Sequence, residues 1–136
     1  MSQGLMTNMD EILRSHFLSL YCMIVADGDV AMSELDELYR IARENYGLTR
    51  EEIDKAILSG GSSFYVPQSD EDKVRYLYDL ALIAVADGIE DSEIVLLKEY
   101  ARKFGFLDEN VDALVNYLLE EAKKRTPHNI VLNPER

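Results

Sequence analysis

The sequence predicts an all-α protein, an irregular bundle of about six helices built from two similar three-helix units. Three observations support this prediction. Apolar residues recur at three- and four-residue spacing along most of the chain, which is typical of helices packed on a core. No segment shows the alternation or the hairpin turns typical of strands. The dipeptide Asp-Gly occurs twice, at Asp27-Gly28 and at Asp87-Gly88, each time between an apolar run and a new helical pattern.

The first unit, about residues 8–60, contains three predicted helices. The first helix covers residues 9–26 and ends at Gly28, because glycine adopts left-handed backbone conformations without a Cβ clash. The second helix covers residues 32–46. A capping box at residues 49–52 opens the third helix. The residues that we expect to face the core are Met9, Leu13, Phe17, Leu20, Ile24, Leu35, Leu38, Tyr39, Ala42, Ile53, Ala56 and Ile57.

The second unit, about residues 69–124, follows a Gly- and Ser-rich joint at residues 59–63. Its first helix is capped by Ser69 and is apolar on most faces, which predicts a central position in the bundle. The fifth helix starts just after the second Asp-Gly dipeptide, and Asp108 caps the sixth. The expected core residues here are Val74, Leu77, Tyr78, Ala81, Ala84, Val85, Ile94, Leu97, Ala101, Phe104, Val111, Leu114, Val115, Leu118 and Leu119.

The length and the end of the chain fit one helical domain over residues 1–136. This size is close to the commonest for a single domain. Pro127 and Pro134 exclude a continued sixth helix, so we expect an extended tail over residues 126–136.

Charge and cysteine content restrict the class of partner. The formal net charge of −12 argues against binding to nucleic acid or to an anionic membrane surface. No apolar run reaches the roughly 20 residues that span a bilayer, so no membrane insertion is expected. The start of the chain lacks the pattern of a signal peptide, and a single cysteine fits a reducing compartment, so we expect a cytoplasmic location.

The sequence shows no catalytic motif, and we expect a protein that is not an enzyme. No phosphate-binding loop, nucleophile motif or histidine metal motif is present. The two histidines, His16 and His128, lie far apart in sequence. His16 and Cys22 are six residues apart and make a poor metal pair on a helix. Cys22 lies in an apolar helical run and is predicted to be a buried, inert thiol.

The residues around the Asp-Gly dipeptides resemble a known family. The segment 27–34 fits the pattern Asp-Gly-x-[Ile/Val]-x-x-x-Glu, and the segment 87–93 repeats it one residue shorter. Each is followed by a helix that ends in Ala-Arg and then glycine. Over roughly residues 8–122 the chain is similar to the tellurite-resistance TerB-like family and to the N-terminal region of DjlA-type J-proteins.

The resemblance implies an all-helical fold, a cytoplasmic or cytoplasm-facing setting and no established enzymatic reaction. It also implies an association with tellurite or other stress resistance. The proposed cation-binding positions of the family correspond in this chain to Asp27, Glu34, Asp87 and Glu93.

Each Asp-Gly corner offers oxygen ligands of the kind that hard cations prefer. The first corner carries Asp27, Asp29 and Glu34, with the spacing of the second half of an EF-hand loop. A true EF-hand is excluded because Met23 and Val25 occupy the positions of its early ligands.

If the two corners lie close together, they could share a Ca²⁺, Mg²⁺ or Zn²⁺ ion. Glu34 and Glu93 would then join Asp27 and Asp87. The further carboxylates at the corners are Asp29, Glu90 and Asp91.

An interpretation without a cation remains open for the same residues. Aspartate before glycine is common turn chemistry, and glutamates in a first helical turn cap backbone N–H groups. The alternative function is therefore a protein-interaction adaptor that binds an unidentified protein partner and no ion.

Overall fold

The computed structural model describes residues 11–25, 28, 30–59 and 64–133. All the regular structure in these residues is helical, as the sequence predicts. The helices are α1 (Glu11–Val25), α2 (Met32–Tyr46), α3 (Arg50–Ser59), α4 (Asp70–Ala86), α5 (Asp91–Lys103), α6 (Asp108–Lys123) and α7 (His128–Leu132). The predicted start of the first helix, at residues 9 and 10, lies outside the described residues.

The helix ends follow the local signals in the sequence. Gly47 ends α2 with φ +65°, a left-handed conformation that glycine adopts without strain. Before α3, the Thr49 hydroxyl accepts from the Glu52 N–H at 3.1 Å, and the Glu52 carboxylate accepts from the Thr49 N–H at 2.9 Å. Before α4, the Ser69 hydroxyl accepts from the Asp72 N–H at 3.0 Å. These bonds satisfy N–H groups that the helices leave without internal partners.

The α4 helix lies at the centre of the bundle, as its composition predicts. It packs against α1, α2, α5, α6 and α7, and its residues 76–84 are all buried. The first three helices contact one another, and so do α4, α5 and α6, so the two triplets use matching pairings. Among the helices of the described ranges, none is long and apolar enough to cross a membrane.

The C-terminal segment corrects the prediction of an extended tail. After α6 ends, Pro127 takes the N-cap position, and the short helix α7 follows. Proline excludes continuation of α6 but suits the start of a new helix. Val131 of α7 is buried, and the segment is attached to the body by two tyrosines. The Tyr78 hydroxyl donates to the Thr126 carbonyl at 2.6 Å, and the Tyr117 hydroxyl donates to the Val131 carbonyl at 3.0 Å.

Two further predictions about single residues are wrong. Asp108 does not cap α6, because Leu107 occupies the N-cap position and no side chain caps the helix there; Asp108 lies in the first turn. Cys22 is exposed rather than buried. It follows the buried Leu20 by two residues, about 200° around the helix, and therefore lies on the opposite side of α1 from the core.

Candidate functional site

Three residues that follow the first Asp-Gly dipeptide, Val30, Ala31 and Glu34, line one cavity of about 200 Å³ together with residues of the second Asp-Gly corner. We call it the corner cavity. The loop before α2 and the first turn of α2 form one wall, and the loop from α4 to α5 forms the other. Its lining residues are Val30, Ala31, Glu34, Asp87, Gly88, Glu90 and Glu93. A shared site requires that the two corners lie close together, and Val30, Ala31 and Glu34 of the first corner do lie at the same cavity as the second corner.

The structure brings together four of the carboxylates predicted to bind a cation. Glu34 is 5% exposed and Glu93 is 2% exposed, whereas Asp87 and Glu90 are open to solvent. Burial of two carboxylates in one cavity is costly unless hydrogen bonds or a counter-charge compensate for lost hydration.

The other three candidates differ in what the structure says of them. Asp91 is exposed at the start of α5 and does not line the corner cavity. Asp27 and Asp29 lie outside the described residues.

Two of the lining carboxylates cap a helix. The Glu90 side chain accepts from the Glu93 N–H, and the Glu93 carboxylate accepts from the Glu90 N–H at 3.0 Å. This is a capping box in which glutamate replaces the usual serine or threonine at the N-cap. Each carboxylate still has lone pairs beyond the one used here, since an ionised carboxylate has about four acceptor sites.

The located residues alone do not make a complete metal site. Within residues 11–25, 28, 30–59 and 64–133, no group of three or more histidine, cysteine, aspartate or glutamate side chains is arranged to hold a metal ion. Every buried side-chain nitrogen and oxygen in the same residues has a hydrogen-bond partner. A cation in the corner cavity would therefore need ligands from Asp27 or Asp29, from main-chain carbonyls or from water.

A second polar centre, not predicted from the sequence, lies inside the bundle. The carboxylate of Asp79, in the middle of α4, is fully buried. His16 Nε2 lies 2.8 Å from its Oδ2, and His128 Nε2 lies 2.6 Å from its Oδ1. The Tyr46 hydroxyl donates to Oδ2 at 2.6 Å. These four residues, the Asp79 cluster, connect α1, α2, α4 and α7.

The electrostatics of the Asp79 cluster favour an ionised aspartate. Burial acts to raise the pKa of Asp79, but the hydrogen bonds from His128 and His16 and the attraction to both rings prevail, so its pKa lies below the usual value. Burial and the neighbouring Asp79 carboxylate raise the pKa of Tyr46 far above its ordinary value, so its hydroxyl stays protonated and donates. The cluster is therefore a buried carboxylate with three donors.

Aromatic packing fixes the His16 ring of the cluster. It stacks on Tyr76 with ring centroids 3.8 Å apart and planes inclined by 9°. Its side chain is 1% exposed, so His16 has a structural role. His128 is partly exposed, with 17% of its side chain open to solvent.

One sequence signal could have indicated this cluster. Asp79 interrupts the apolar run from Leu77 to Val85, and a charge within an apolar central helix must find partners. Two histidines and several tyrosines were the available donors, although nothing in their spacing along the chain shows which of them reach Asp79.

Comparison with known proteins does not add to the residue pattern. No protein-family model, no curated protein and no solved structure was found to match the chain. The resemblance to TerB-like proteins therefore rests on the two Asp-Gly segments themselves.

Proposed function

We propose that the protein is a non-enzymatic, TerB-like helical domain that binds a divalent cation in the corner cavity. The single observation that carries the proposal is that four carboxylates from the two corner segments, Glu34, Asp87, Glu90 and Glu93, line one cavity. The resemblance to TerB-like proteins connects such a domain with tellurite or other stress resistance.

The physical argument is one of charge. Two buried and two exposed carboxylates surround about 200 Å³ of space in a chain of net charge −12. A bound Ca²⁺, Mg²⁺ or Zn²⁺ would offset their mutual repulsion, and it would stabilise the folded state because the unfolded chain does not hold these carboxylates together. The capping bonds at Glu90 and Glu93 pre-position two of them, which lowers the entropic cost of binding.

Thermal unfolding of chelator-treated protein with each cation in turn tests the proposal. At least one of Ca²⁺, Mg²⁺ and Zn²⁺ is expected to raise the temperature of the unfolding midpoint. At a cation concentration of 100 times Kd, the free energy of unfolding should increase by about 2.7 kcal/mol. Asp27→Asn combined with Asp87→Asn should abolish the shift. Glu93→Gln should reduce it while keeping the helix cap, since glutamine also accepts at this position.

The matched control removes two exposed carboxylates that do not line the corner cavity. Asp36→Asn combined with Asp112→Asn should leave the cation-induced shift as it is in the parent protein. Absence of a shift with all three cations in the parent protein would rule out the proposal. An equal loss in the control pair would reduce it to general charge screening.

The hydrogen bonding at Glu90 and Glu93 supports a second candidate, an interaction adaptor that needs no ion. In this function the carboxylates cap α5, and the acidic surface docks a basic protein partner. Capture of the same partner with and without a chelator would favour the adaptor. Release of the partner by the chelator would instead show that a bound cation controls binding of the partner.

A further inference from the structure

A second, larger cavity of about 360 Å³ lies beside the Asp79 cluster, between the end of α2 and the segment that joins α6 to α7. We call it the arginine cavity. Its polar lining includes Arg40, Asn45, Arg125 and His128, and the buried Leu82 contributes an apolar wall. This volume lies in the range of small-molecule sites. Convergence of two guanidinium groups and an imidazole contrasts with the strongly acidic composition of the chain.

One buried carboxylate positions both arginines. Glu37, whose side chain is 8% exposed, accepts from Arg40 Nε at 3.1 Å and from Arg40 Nη2, and it also accepts from Arg125 Nη2 at 3.4 Å. Arg40 Nη1 donates to Glu44 at 2.7 Å. A guanidinium has five N–H donors, so Arg125 keeps four of them for another acceptor and Arg40 keeps two.

The backbone at Arg125 provides an independent argument. Arg125 has φ +58°, and among the described residues it is the one non-glycine with a positive φ. It follows α6 in the position that Gly105, with φ +101°, occupies after α5: the next N–H bonds to a carbonyl five residues back in both, Thr126 to Glu121 and Phe106 to Ala101. Glycine would take this conformation without strain, so the arginine at this position carries a conformational cost, and its side chain lines the cavity.

The Asp79 cluster sets the orientation of the His128 imidazole at the cavity wall. His128 Nε2 is held by Asp79, which leaves Nδ1 near the Asn45 amide nitrogen, at 3.4 Å. Tyr78 packs against the edge of the ring at a centroid distance of 4.9 Å. The imidazole is therefore fixed at the cavity wall before any ligand arrives.

We propose that the arginine cavity binds the oxyanion group of a small molecule, a phosphate or a carboxylate, with Arg125 as the principal ligand and Arg40 as the supporting donor. A planar guanidinium binds both oxyanions in bidentate fashion. Glu44 is the competing group, because its side chain lines the same cavity and is 49% exposed. An entering oxyanion would displace Glu44 from Arg40 toward solvent.

Calorimetric titration at constant ionic strength with inorganic phosphate and, separately, with acetate tests this site. The parent protein is expected to bind one of the two anions saturably at millimolar concentration. The titration that saturates shows whether the site prefers a phosphate or a carboxylate. Arg125→Gly should weaken binding by about tenfold or more, the loss that corresponds to one charge-assisted hydrogen bond. The same variant should keep or raise the unfolding midpoint, because glycine relieves the left-handed backbone.

Two further variants complete the test. Glu44→Gln should bind more tightly than the parent, since the competing carboxylate is gone. Arg102→Ala removes an exposed arginine that does not line the cavity and should bind as the parent does. The proposal is overturned if neither anion binds the parent, if Arg125→Gly retains full affinity, or if Arg102→Ala loses as much as Arg125→Gly.

Discussion

Replacing Asp79 with alanine is expected to lower the free energy of unfolding by about 3–5 kcal/mol, the loss seen when one partner of a buried charged network is removed. The substitution leaves the His16 ring and the Tyr46 hydroxyl buried without their acceptor. It also removes the acceptor that holds His128 of α7 to α4. Urea unfolding measures the change, and the thermal midpoint should fall by roughly 10–15 °C.

The control for this prediction is an exposed carboxylate. Asp112→Ala removes a side chain that is 73% exposed and pairs with Lys98, so its cost should stay within about 0.5 kcal/mol. Asp79→Asn should lie between the two, because it keeps the volume and one acceptor but loses the charge. A cost for Asp79→Ala that matches Asp112→Ala would mean that the Asp79 cluster contributes nothing to stability.

The stabilisation from Asp79 should depend on pH in a defined direction. The folded-state pKa of Asp79 is depressed, so its contribution is fully present above the ordinary aspartate pKa of about 4 and is lost as the pH falls through the folded value. The stability difference between the parent and Asp79→Asn, which does not titrate at this position, should therefore shrink below about pH 4. A difference that grows in acid would contradict the assigned ionised state.

Leu77→Ala is expected to cost about 2–5 kcal/mol, which is the range for removing a fully buried leucine side chain. Leu77 lies in α4, at the centre of the bundle, and is 0% exposed. Since α4 packs against five other helices, we expect that the cavity left by truncation cannot be filled by a small shift of one neighbour. Equilibrium unfolding in urea gives the value, with an unchanged dependence on denaturant as the sign of an intact two-state transition.

The chain offers a matched leucine for comparison. Leu58 on α3 is 85% exposed, and both leucine and alanine are good helix formers, so Leu58→Ala should change stability by less than about 0.5 kcal/mol. A similar cost for both variants would contradict the central position of α4.

Helix existence and helix ends could be predicted from the sequence because their causes are local. The second helix was expected over 32–46, and α2 covers Met32–Tyr46. A glycine at the C-terminus of α2 and hydroxyl caps before α3 and α4 act within four residues of the helix end, so the spacing alone identifies them. The all-α fold class is confirmed, and it could be predicted because the patterns that indicate each helix are also local.

The Asp79 cluster could not be predicted because its members are distant in sequence. His16 lies 63 residues from Asp79, and His128 lies 49 residues away. Their meeting depends on how α1 and α7 pack on α4, which no local spacing specifies. The same reason explains the error at Cys22, since an apolar helix does not show which of its sides the neighbouring helices cover.

The corner cavity could be predicted from the sequence only in part. The repeated Asp-Gly dipeptides allowed the hypothesis that the two corners lie close together. In the structure, the loop before α2 and the loop after α4 line the same cavity. The capping bonds between Glu90 and Glu93 follow from a three-residue spacing and were an open alternative for Glu93. Binding of a cation stays a prediction, because Asp27 and Asp29 lie outside the described residues.

The attachment of the C-terminal segment has a consequence for how the chain can vary. Tyr78 and Tyr117 donate to the main-chain carbonyls of Thr126 and Val131, and every amino acid supplies such a carbonyl. Evolutionary drift in the identities of those two acceptor residues would therefore leave both hydrogen bonds in place. The two tyrosine donors therefore share the constraint on the path of the segment with the His128–Asp79 hydrogen bond and buried Val131. Loss of either tyrosine hydroxyl would weaken this attachment, whereas substitution of the residues that supply the carbonyls would not.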